Sequence, residues 1–231
     1  MARIPRSLSV RDKYSVHKIW RGHNREWNLG TIRQKGKYLK YLNEDIESKR
    51  FNGAISLHAI TLMSNHTHEV AKVHNTAEFS KHMRRHHSRY GMFFNKENNR
   101  CGKVAQDRAK TCLIEDEHHE MRTVFYVHAN PVRAGIVGDS RDYAWSTHKL
   151  YAFGKREEWM KHVVFPEWYK KLGKTMQERQ RKYRSLYARF LKETNNQKQS
   201  FLNNLFFGSP SWVETQYESV KEWRETHSPP E

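Results

Sequence analysis

Apolar and polar residues change period along this chain, and the changes mark out its elements. Residues 13–20, KYSVHKIW, alternate with period two, as a strand with one covered face does. Over residues 31–50 the period lengthens, and Ile32, Leu39, Leu42 and Ile46 fall at helical spacing. Residues 53–63, GAISLHAITLM, are rich in small and branched side chains and predict a buried strand. Ser64 and Asn65 supply turn chemistry before a second strand, HTHEVAKV, so a hairpin is expected there. From Asn75, a residue suited to an N-cap, Phe79, Met83, Tyr90 and Phe94 trace the apolar face of a helix whose outer face carries RRHHSR. After the loop NKENNRCG, the segment KVAQDRAKTCLI reads as a strand or hairpin. DEHHEMRTVFYVHAN then predicts a helix opened by acidic residues and stopped before Pro131. The order β-α-β-β-α-β-α predicts an α+β fold: a ferredoxin-like split βαβ arrangement on an antiparallel sheet.

Beyond Tyr151 the composition shifts toward Lys, Arg and aromatic residues at helical spacing. Residues 1–152 are expected to form the main domain, and residues 153–231 a basic, mostly helical extension. Within it FGSPSWVETQYESVKEW predicts a short helix packing back on the body, and THSPPE is expected to fray. No internal repeat is present. The N-terminal segment lacks a signal-type apolar region and no apolar run is long enough to span a bilayer, so an intracellular protein is expected. Cys101 and Cys112 are too few for a disulfide framework and read as reduced thiols.

Charge narrows the partner. The 231 residues, 36% hydrophobic, suffice for a real core, while 42 Lys and Arg against 25 Asp and Glu give a formal net charge of +17. Such an excess favours an anionic partner, with nucleic acid first and an anionic membrane surface as the competitor. The basic residues are interleaved with Trp, Tyr and Phe, as in grooves that bind single strands.

Candidate chemistry centres on LMSNHTHEV. On a strand, His66 and His68 project from one face with Cα atoms about 7 Å apart, so their ring nitrogens can converge on one cation. Two imidazoles fill a divalent site only in part, and a third ligand must come from elsewhere. In a chain with 15 histidines, packing or surface roles are the alternative. Later stand YVHANPVRAGIV and YAWSTHKLY. MSNHTH followed by these motifs resembles the REP-associated tyrosine transposases, single-tyrosine HUH enzymes related to the IS200/IS605 transposases. Their strand motif is much like M-P-N-H-x-H and their helix motif much like Y-I-H-x-N-P-V-R-A-G. The resemblance spans about the first two thirds of the chain, with a short further match at FFGSPSWVE.

The resemblance implies that His66 and His68 hold a divalent metal, Mg²⁺ or Mn²⁺, that Asn130 supplies a third ligand, and that Tyr126 is the nucleophile. Independently, Tyr126 and Asn130 are four residues apart on one predicted helix and share a face. The implied activity is cleavage and rejoining of single-stranded DNA beside a REP-type hairpin through a 5′-phosphotyrosine, by a bacterial, nucleoid-associated cytoplasmic protein acting as a monomer or homodimer. Candidate DNA contacts are Arg3, Arg6, Arg21, Arg84, Arg85, Arg89, Arg108 and Arg133. Thr67 and Glu69 replace apolar residues usual in the family, and Ala105 stands where an aromatic is usual. Rival readings are a domesticated hairpin binder that does not cut, another HUH-type nicking enzyme, and a water-using metal nuclease in which Tyr126 is structural.

Overall fold

The computed structural model describes residues 4–51, 53–194 and 204–227. Its first part runs β1 (Ser15–Arg21), α1 (Ile32–Glu47), β2 (Ile55–Leu62), β3 (His66–Val73), α2 (Thr76–Glu97), β4 (Lys110–Ile114) and α3 (Glu117–Arg133). The strands lie in the order β2-β3-β1-β4, each antiparallel to its neighbour, and β3 sits between β1 and β2 as in a split βαβ unit. Both faces of β1 and β3 are covered. That coverage buries His17, Lys18, His68 and Glu69 alongside the apolar residues.

One face packs against α1 and α2. Val16, Trp20 and Leu113 meet Tyr38, Leu39 and Leu42 of α1 and Phe79, Met83, Tyr90 and Phe94 of α2. Each such buried side chain is worth about 1.5–3 kcal/mol against exposure. Thr31 opens α1 with a capping box to Gln34, and the Asn75 side chain accepts from the Glu78 amide at 3.0 Å to open α2. RRHHSR is only partly an outer face. Arg84, Arg85 and Ser88 are exposed, but His86 is fully buried edge-on to Tyr38 at 4.3 Å, and His87 stacks on Trp20 at 5.0 Å. The helical period carries 86 and 87 round to the same side as Met83 and Tyr90. Beneath them Lys18 pairs with Glu69 at 2.6 Å, and the Tyr38 hydroxyl donates to Glu69 at 2.7 Å, so these three buried polar groups satisfy one another.

The other face carries α3. Ala59, Val70, Cys112 and Ile114 of the sheet meet Val124, Phe125 and Val127. Asp116 caps the helix, accepting from the His119 amide at 2.9 Å. The helix does not stop at Asn130. It runs through Pro131 to Arg133, because the proline enters the last turn, where its missing N–H removes one ladder bond only. The Ala134 amide bonds the Asn130 carbonyl at 2.9 Å, and Gly135, at φ 69°, ends the helix.

The remaining elements are α4 (His148–Phe153), α5 (Glu167–Lys170), α6 (Met176–Thr194), β5 (Phe206–Phe207) and α7 (Pro210–His227). The division expected after residue 152 falls inside α4. Tyr183, Tyr187 and Phe190 of α6 surround Phe125 of α3 at 5.4–5.8 Å. β5 pairs with β4 in parallel, so the sheet is five-stranded and mixed rather than wholly antiparallel. Glu115 anchors this return, accepting from the Ser209 amide at 2.5 Å and hydroxyl at 3.0 Å. Thr226 and His227, expected to fray, are the last turn of the 18-residue α7, and the rest of that tail lies outside the described residues.

Candidate active site

β3 begins at His66, so His66 and His68 share the face toward α3. Their rings meet edge to face with centroids 4.8 Å apart. Each is held through its Nδ1. His66 Nδ1 lies 2.6 Å from Asn65 Oδ1, and His68 Nδ1 lies 2.9 Å from Nε2 of His17 on β1. The amide oxygen of Asn65 accepts, so His66 carries its proton on Nδ1 and its lone pair on Nε2. His68 has the same tautomer when its Nδ1 donates to His17.

Burial drives all three imidazoles toward the neutral, ligating form. It takes His17 down to about 3, with His66 adding to the effect, and His66 down to about 4, with Arg21 adding. His68 falls well below its usual range, through burial and then through His66, His17 and Arg21.

α3 lays Tyr126 across this cluster. Its ring stands edge-on to His68 at 5.6 Å and to His17 at 5.9 Å. Only 4% of the residue is exposed. Burial pushes its phenol up to about 12, opposed by Arg133, a side-chain hydrogen bond with Asn130, and Arg21. Asn130, one turn on, donates from Nδ2 to the Tyr126 carbonyl at 2.8 Å, and its Oδ1 is the remaining donor atom for a cation. The Arg133 guanidinium sits 5.8 Å from the Tyr126 ring and bonds Thr194 of α6 at 3.2 Å. Two imidazoles and an amide oxygen are the mixed N/O donor types that a divalent cation accepts.

The candidate arginines divide three ways. Arg21, exposed at the end of β1 opposite His66, and Arg133 flank the tyrosine and histidines. Arg6 and Arg108, bonded to the Ala109 and Ile4 carbonyls, line a cavity of about 230 Å³ that His17 also lines. Arg84, Arg85 and Arg89 lie on α2, across the sheet from Tyr126. There Arg85 and Arg89 pair with Asp45 at 2.9 and 2.8 Å, and Arg89 also with Glu44. Arg3 lies outside the described residues.

His17 escaped the sequence reading. Its signal was the alternation of KYSVHKIW, which puts it in phase with Ile19 and Arg21, but only the β1–β3 register, Ile19 opposite His68, gives that phase a meaning. Glu115, Asp116 and His119 form a second cluster of possible ligands, about 15 Å along α3 from Tyr126. Its acids already serve, Asp116 as the helix cap and Glu115 as the anchor of Ser209.

No protein-family model and no curated protein matches the chain. Among solved structures it is similar to a REP-associated tyrosine transposase bound to a REP hairpin, at 18% sequence identity and a TM-score of 0.53, over 72% of this chain and 96% of that one. The chain therefore has the α+β fold of that transposase.

Proposed function

We propose that this chain is a metal-dependent transposase that cleaves and rejoins single-stranded DNA at REP-type hairpins through a 5′-phosphotyrosine. The observation that carries the reading is the convergence of Tyr126 with the neutral pair His66 and His68 on one face of the sheet, beside Arg21 and Arg133. It is supported by the fold shared with a hairpin-bound transposase.

In this reading His66, His68 and Asn130 would hold Mg²⁺ or Mn²⁺, which when bound would supply Lewis-acid polarisation of a phosphoryl oxygen. Tyr126 Oη attacks phosphorus, the Oη–P bond forms, and the P–O3′ bond breaks to leave a free 3′ hydroxyl. The phenol proton goes to solvent, and the departing 3′ oxygen takes one up. Arg21 and Arg133 lower the cost of the developing phenolate, which burial alone makes high. His17 orients His68 through its ring nitrogen. A phenol this enclosed is reached by a splayed single strand more readily than by a duplex. The ester bond keeps its energy in the enzyme link, so rejoining runs the same steps backward on a new 3′ hydroxyl.

The test is incubation with labelled hairpin DNA bearing single-stranded flanks, with Mg²⁺ or Mn²⁺, on a denaturing gel. The expected result is a metal-dependent protein–DNA adduct, absent from Tyr126→Phe and His66→Ala. Cleavage that survives Tyr126→Phe means a water nucleophile, and tight binding without cleavage means a hairpin binder.

A further inference from the structure

Seven tryptophans occur in the chain. Trp20 and Trp168 are buried, Trp145, Trp159 and Trp212 pack against the core, and Trp223 stacks on His227. Trp27 differs, with 72% of it in water. Large aromatic side chains are rarely displayed so fully, and this one is not on a loose loop.

The segment from Gly22 to Gly30 is tied down on both sides of the indole. The Gly22 amide bonds the Asn65 carbonyl at 2.8 Å, and Asn65 Nδ2 donates to the Arg25 carbonyl at 3.2 Å. After Trp27, the Leu29 amide bonds the Ser64 carbonyl at 2.8 Å, and the Asn28 carbonyl accepts from Tyr90 at 2.5 Å. Asn28 and Leu29 are fully buried. Asn24 and Arg25 hold φ of 48° and 61°, a left-handed turn that non-glycine residues adopt only when their surroundings impose it. The ring is thus presented to solvent by an anchored loop.

That loop belongs to the site. It follows Arg21 directly and is pinned by Asn65, whose Oδ1 holds His66. The charges around the indole suit an anion. Arg21 and Arg25 are exposed, and Glu26, the residue before Trp27, pairs with Arg100.

We propose that Trp27 is a stacking platform for an unpaired DNA base next to the cleaved phosphate, with the strand's backbone running past Arg21 and Arg25. The inference rests on the single-strand reading above and names a specificity element of that site. A stacked base explains both the displayed π-face and the cationic rim, whereas a protein contact would need only the former.

The experiment is fluorescence anisotropy of the full chain with a labelled hairpin oligonucleotide bearing flanks of about ten nucleotides, a length within the usual site size. Wild type, Trp27→Ala and Trp27→Phe are compared, and each flank position is replaced in turn by an abasic sugar. Trp27→Ala is expected to weaken binding about 5- to 100-fold with an unchanged salt slope, and Trp27→Phe to restore most of the affinity. One abasic position should cost wild type a similar factor and cost Trp27→Ala nothing. Equal affinity of Trp27→Ala and wild type overturns the proposal, as does a change in the oligomeric state of the free chain with DNA affinity intact, which assigns the indole to a protein contact. Failure here and failure of the transposase reading separate cleanly. Wild type that binds without forming an adduct overturns the latter and leaves the Trp27 comparison to decide the former.

Discussion

Tyr183→Phe tests whether α6 sets the position of α3. His128 lies between Tyr126 and Asn130 in sequence, is fully buried, and points toward α4 and α6. Its Nε2 is 2.7 Å from Thr147 Oγ1, which already accepts from the Ile60 amide at 3.0 Å and donates to the Ile60 carbonyl at 3.2 Å. The threonine's one proton is therefore used, and His128 must donate from Nε2 and accept at Nδ1. The acceptor's partner is the Tyr183 hydroxyl, 2.6 Å away, which in turn is 3.3 Å from His148 Nδ1. Phenylalanine keeps the aromatic packing against Phe125, Tyr151 and Tyr187 but removes the hydroxyl from both histidines. A buried polar atom left without a partner costs about 1–3 kcal/mol, which for a chain of this size lowers Tm by about 2–12 °C. Urea and thermal unfolding measure this directly. A loss under about 0.5 kcal/mol would refute the tautomer argument, since a water or a rotated ring would then be replacing the hydroxyl at no cost. The variant should also form less of the Tyr126 adduct, because the same hydrogen bond holds the helix that carries the phenol.

Three further outcomes follow from other parts of the molecule. Lys18→Met should destabilise by about 3–5 kcal/mol, because it strands the Glu69 carboxylate beside Tyr38, while Lys18→Met with Glu69→Leu should recover most of that loss in urea unfolding. Acid should destabilise the fold through His82 and His86, held neutral by burial beside Lys18, with Asp45, Tyr38 and His87 also facing them. His82 is driven to about 3 and His86 well below its usual range. Both are neutral in folded and unfolded chains above about pH 6.5, and below it only the unfolded chain takes up protons. His82 therefore removes about 2 kcal/mol between pH 7 and pH 5, read as a fall in Tm, His86 acts in the same direction, and His82→Phe should flatten that dependence. His17→Phe should weaken Mn²⁺ binding about 10- to 100-fold in a calorimetric titration by releasing His68 Nδ1, with little change in secondary structure by circular dichroism.

The pattern of apolar positions was sufficient for the succession β1 to α3 and for the split βαβ sheet, because periods of 2.0 and 3.6 are imposed by local backbone geometry. The same local rule put His66 with His68, and Tyr126 with Asn130, on common faces before any contact was known. What local spacing could not supply is which faces meet. His17 became a partner of His68 only through the register of β1 on β3. Arg85 and Arg89, equal to Arg21 in the sequence, are engaged by Asp45 across α1 and α2, while Arg21 stands exposed beside His66. The segment after residue 152 reads as an appendage by composition, yet α6 supplies the wall behind Phe125 and the hydroxyl on His128. Pro131 reads as a helix stop, but a lost hydrogen bond in the last turn was cheap enough for α3 to reach Arg133. In each case a residue's type and spacing are properties of the chain, whereas its burial and its partner depend on segments far away in sequence, and only the packed tertiary structure decides those.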